Sequence, residues 1–120
     1  MNGSVERLAI ADRLLRDGST SLPGRWPRCC AWLLRLALEH ALADLWAARC
    51  PEAAASTMRA QLLVLPRFVP ADLATRVAQL WATLSRAAHH HAYELEPTAA
   101  ELRSWHHDVT AVATELAACR

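Results

Sequence analysis

Arg86, His91 and Tyr93 stand in the order Arg, four residues, His, one residue, Tyr within the stretch RAAHHHAY. They combine a permanent cation, an imidazole that titrates near neutrality, and the one tyrosine of the chain. An Arg–His pair of this kind can break an RNA phosphodiester without a metal. The histidine takes the proton of the 2′-hydroxyl, which then attacks phosphorus. The planar guanidinium meets the charge that gathers on the pentacoordinate phosphorus with two hydrogen bonds. Such a mechanism needs a 2′-hydroxyl, so it would cut RNA and leave DNA alone. Arg76, on the polar flank of the same segment, is a candidate for an added phosphate contact or simply a solvated side chain.

Helical geometry sets a condition on this chemistry. At about 100° per residue, Arg86 and His91 diverge by about 140° on an ideal helix. Leu73, Val77, Leu80, Leu84, Ala88 and His91 then form one apolar stripe, and Arg86, His89, His90 and Tyr93 share the opposite side. If the helix is regular through Tyr93, His90 is the partner of Arg86 and His91 is a buried core residue. A bulge, or a helix end ahead of Pro97, restores His91 to the pair.

The elements that must place these groups are all helical. Ala and Leu dominate, glycine is scarce, and no Asn-Gly or Asp-Gly hairpin signal separates alternating strands. The pattern predicts a single all-α domain over 1–120, an up-and-down bundle of about five helices with short connections. Residues 1–27 form an N-terminal helix and loop, and 28–118 the core bundle. The first helix is expected from about Val5 to Asp17, with Ser4 as N-cap and Gly18 as stop. The second, from about Arg28 to Cys50, is apolar on nearly all sides and should be central. A third opens at Pro51 and Glu52 and ends before Pro66. The fourth runs from Pro70 to about His91, and the fifth starts at a capping box, Thr98 with Glu101, and reaches about Ala118.

Composition narrows the partners. The net charge of +1 excludes a broad basic face for long nucleic acids, so an RNA contact must be local or shared between two copies. All thirteen basic residues are Arg, which a GC-rich coding sequence explains as simply as phosphate binding does. Cys29, Cys30, Cys50 and Cys119 lack metal-type spacing and read as free thiols of a cytoplasmic protein. The acids within the first apolar segment argue against a signal peptide, and no apolar run is long enough for a membrane span. His89, His90 and His91 splay apart on a helix, so no metal and no cofactor is expected, though a helix-to-helix pair such as His90 with His106 stays open. His40 and Asp44, one turn apart, read as a polar pair. The five Trp residues read mainly as core and dimer packing, with base stacking the other option.

The Arg-x4-His-x-Tyr arrangement late in a small helical bundle resembles the HEPN superfamily, in particular the HEPN toxins paired with minimal nucleotidyltransferase antitoxins. The surrounding LSRAAHHHAYELEPTAAELRSW is similar to an actinobacterial HEPN-type subfamily. The resemblance in helical layout covers roughly Arg28 to Ala118. It implies a metal-independent ribonuclease that works as a homodimer, a toxin or defence effector with Arg86 and His91 as the catalytic pair. Tyr93 would assist at the phosphate or be the site that an antitoxin nucleotidylates. Some members use an acidic residue from an earlier helix, which here is Glu39, to orient Arg86 or fix the histidine tautomer. The rival reading is a non-catalytic helical module for dimerisation or protein interaction, with His91 buried and Arg86 solvated.

Overall fold

The computed structural model describes residues 3–21, 26–89 and 95–120. Among the described residues five α-helices follow one another: α1 (Gly3–Ser21), α2 (Trp26–Arg49), α3 (Met58–Val64), α4 (Ala71–Ala88) and α5 (Ala99–Ala118). Short 3₁₀ helices, Pro51–Ala55 and Leu65–Arg67, flank α3, and no strand occurs among the described residues. The all-α bundle predicted from composition is what the chain forms.

α2 is the central helix, packed against α1, α4 and α5. Its buried residues cover about half of the helix circumference, and Leu34, Leu38, Leu42, Leu45 and Trp46 among them are fully buried. Contacts between residues fix the directions of the neighbours. Arg7 reaches His40 and the Cys30 thiol reaches the carbonyl of Ala11, so α1 runs antiparallel to α2. Arg28 meets the end of α4 while Glu39 meets Trp81, so α4 is antiparallel as well. Arg49 donates to the carbonyl of Cys119, which makes α5 parallel to α2.

Three boundaries differ from expectation. α1 includes Ser4 and continues through Gly18. Glycine costs a helix about 1 kcal/mol and does not by itself end one. At its start Gly3 lies against the His40 ring, where a Cβ would come within 2.6 Å of Cε1. The expected third helix divides after Ala55, because Ser56 is extended and the Thr57 side chain caps a new start by accepting from the Ala60 amide. α4 ends at Ala88 rather than near His91. By contrast, the Thr98–Glu101 capping box forms with both of its hydrogen bonds, at 3.0 and 3.1 Å, and fixes the start of α5.

Candidate functional site

Arg86 projects from the last turn of α4 and is exposed. It borders a cleft of about 430 Å³ enclosed by the end of α4, the segment Leu95–Thr98 and the first half of α5. Thr83 lines the cleft from α4, Glu101 and Trp105 from α5, and Arg28 from α2. Among the described residues no ion pair engages the Arg86 guanidinium. Glu101 is held in the capping box, so its carboxylate already serves the α5 terminus. The half-buried Trp105 adds an aromatic face to the same wall. A guanidinium beside an indole suits a nucleotide, with phosphate to the first and base to the second.

Arg28 reaches the end of α4 from α2. Its residue is only 9% exposed, deep enough that the cation needs oxygen partners. Its guanidinium donates to the Ala87 carbonyl at 3.4 Å and to the His89 carbonyl. The last carbonyls of a helix lack partners inside it, and a following glycine commonly supplies the turn that satisfies them. Here Ala88 and His89 follow instead, and His89 takes an extended conformation, φ −82° and ψ 142°. A side chain from another helix thus does the work of a local cap. A cation is also favoured at the negative end of the α4 dipole, and each hydrogen bond from a charged group to a carbonyl contributes about 1.5–3 kcal/mol.

The wheel argument for His90 and His91 supposed a helix that continues through Tyr93. The helix ends at Ala88, short of the two positions that the wheel compares. His90, His91 and Tyr93 lie outside the described residues. Glu39 is not brought to Arg86. It accepts from Trp81 Nε1 at 2.8 Å and pairs with Arg35 at 3.6 Å. Arg76 makes a two-pronged contact with Glu115 across α4 and α5, at 2.9 and 2.6 Å. That bond holds the Glu115 carboxyl below its usual range and raises the guanidinium pKa.

The remaining polar candidates serve packing. His40 accepts from Arg7 at 2.6 Å through Nδ1, which leaves the proton on Nε2, and Asp44 pairs with Arg120 at 3.4 Å. The two are one turn apart but are held by different partners. His106 Nε2 donates to the Leu8 carbonyl at 3.1 Å, tying α5 to α1. No group of three His, Cys, Asp or Glu side chains converges on a point among the described residues. Burial pushes the Cys30 thiol up to about 12, with a smaller contribution from Cys29, while Cys29 itself is exposed. No described helix is long and apolar enough to cross a membrane.

Two residues of the cleft escape a reading of the sequence. Arg28 is far from the Arg86 motif in the chain, and nothing local distinguishes it from twelve other arginines. Trp105 carried a weak signal, since it stands beside His106 and His107 on a helix with a strong cap. Compared with known proteins, the chain matches no family model, no curated protein and no solved structure.

Proposed function

We propose that this chain is a metal-independent endoribonuclease of the HEPN type, active as a homodimer and serving as a toxin or defence effector. The observation that carries the reading is the placement of Arg86. Its guanidinium borders an open cleft beside Trp105, immediately before the helix ends and the histidine run begins. In this reading His91 is the base that activates the 2′-hydroxyl, and Arg86 neutralises the phosphorane. Two copies bring two such pairs to one scissile phosphate, which compensates for the low net charge of each. Tyr93 is the residue through which a nucleotidyltransferase-like antitoxin restrains the enzyme.

The test is expression of wild type, Arg86→Ala and His91→Ala, with the purified proteins assayed on RNA. Growth arrest and cleavage by wild type alone support the proposal. Equal growth and intact RNA in all three remove the enzymatic reading. A second reading, a non-catalytic helical module, is favoured by the large apolar side chains left outside the bundle. Leu95 is 96% exposed, Leu63 75% and Trp32 48%. A dimer that buries these residues but spares RNA would favour it.

A further inference from the structure

The antiparallel helices α4 and α5 leave a groove between their outward faces, closed at one end by the Arg76–Glu115 pair and open at the other beside Arg86. Gln79, Thr83 and Arg86 recur every three or four residues along α4, as do Glu101, Trp105 and Asp108 along α5, so each set shares one helix face. The groove holds two hollows. One is the cleft beside Arg86, and the other is a cavity of about 270 Å³ toward the start of α4. Thr83 and Trp105 line both, so the half-buried indole stands where the two hollows meet.

The hollows differ in charge. Arg86 suits a phosphate. The second hollow carries Asp108, and the cation beside it, Arg76, is already taken by Glu115. Among the described residues no hydrogen bond or ion pair engages the Asp108 carboxylate, the Gln79 amide or the Thr83 hydroxyl. Thr75, Thr110 and Thr114, by contrast, each donate to the carbonyl one turn earlier. Leu80 and Val112 are buried and give the hollow an apolar lining. A carboxylate repels phosphate and only accepts hydrogen bonds. Its fitting ligand is flat, with donors along one edge. Among RNA bases guanine alone sets two donors side by side, N1–H and the 2-amino group. Cytosine and adenine offer one amino group next to an acceptor, and uracil one N–H between two acceptors.

We propose that this second hollow is a base-recognition subsite selective for guanine, filled by a nucleotide whose phosphate lies at Arg86. Asp108 accepts from N1–H and the 2-amino group, and Trp105 stacks on the ring. The Gln79 amide and Thr83 hydroxyl supply donors for the acceptor atoms of the same base. The proposal rests on the ribonuclease reading for its substrate, and on the lining and charge of the groove for its selectivity. It commits the enzyme to a cut beside guanine.

The test uses full-length wild type and Asp108→Asn, with two readouts. The first is binding of mononucleotides, followed by NMR at the Trp105 indole N–H, which Trp105→Phe identifies. Each nucleotide is titrated as its 3′- and its 5′-monophosphate, and the tighter isomer is read. Guanosine monophosphate should bind wild type about tenfold more tightly than inosine monophosphate, which lacks only the 2-amino group. Uridine monophosphate should bind more weakly still. In Asp108→Asn the guanosine and inosine nucleotides should bind alike, with helical content unchanged because Asp108 is exposed. The second readout is cleavage of oligonucleotides with guanosine, inosine or uridine beside the cut, where the same ranking should appear in KM. Equal binding of guanosine and inosine nucleotides by wild type, or a preference that survives in Asp108→Asn, would overturn the proposal. Guanine-selective binding without RNA cleavage would keep the subsite and remove the ribonuclease reading. RNA cleavage without base preference would do the reverse.

Discussion

The two ends of the α2–α4 layer each bury a polar group, and they treat it in opposite ways. At one end Trp46 is fully buried, its indole N–H donating to Gln61 at 2.9 Å, while Gln61 donates onward to the Ser56 carbonyl at 2.9 Å. Phe68 stacks edge-on against Trp46 at 5.2 Å, and Arg49 lies over Phe68. The network runs from the Trp46 indole through Gln61 to the Ser56 backbone. At the other end the buried Arg28 binds the terminus of α4 and still forms one wall of an open cleft with Arg86 and Trp105. The first polar group is enclosed by its partners, whereas the second also borders a cleft open to solvent.

Substitutions can break that contrast, and the largest effect should come from the closed end. Trp46→Ala removes a large core side chain and should cost about 3–5 kcal/mol, read as a fall in the thermal midpoint. Gln61→Leu leaves the Trp46 N–H without a partner and should cost about 1–3 kcal/mol by denaturant unfolding. If either change leaves stability intact and alters RNA cleavage instead, the division of labour is wrong. At the open end the signs should reverse. Trp105→Ala should raise KM for RNA about ten- to a hundredfold, the value of one lost base stack. Arg86→Ala should leave stability within about 0.5 kcal/mol, as expected for an exposed side chain.

Smaller effects sharpen the picture between the two ends. The Glu115 carboxyl has its pKa lowered in the folded state by the bond to Arg76. The contribution of that pair is therefore full above the ordinary glutamate range and is lost as pH falls through the lowered value. Arg76→Ala should lower the thermal midpoint slightly at neutral pH, and its difference from wild type should vanish in acid. Alkylation followed by mass spectrometry at neutral pH should label Cys29 and spare Cys30, whose thiol is buried and raised to about 12. Equal labelling would mean that α1 does not cover α2 as described.

What could be read from the sequence were features written within a few residues of one another. The Thr98–Glu101 box marks its own helix start, and the all-round apolar character of α2 requires a central place. The end of α4 could not be read that way. Arg28, which donates to the carbonyls there, lies 59 residues from Ala87, and the local Ala-rich signal points toward a longer helix. The division of the third helix has a similar cause, since Gln61 ties the Ser56 carbonyl to the buried Trp46. For the site, the type and exposure of Arg86 were legible, whereas its neighbours Arg28 and Trp105 come from separate helices. Glu39 was chosen for its chemistry, but its position on α2 gives it to Trp81.

The most direct measurement is cleavage of paired oligonucleotides that differ by a single 2′-deoxy substitution at the cut position. Purified wild type, Arg86→Ala and His91→Ala are compared. The account predicts that wild type cuts only the all-ribose strand and leaves a 2′,3′-cyclic phosphate, and that both variants are inactive though fully helical. Cutting of the deoxy-substituted strand, or undiminished cutting by either variant, would contradict it.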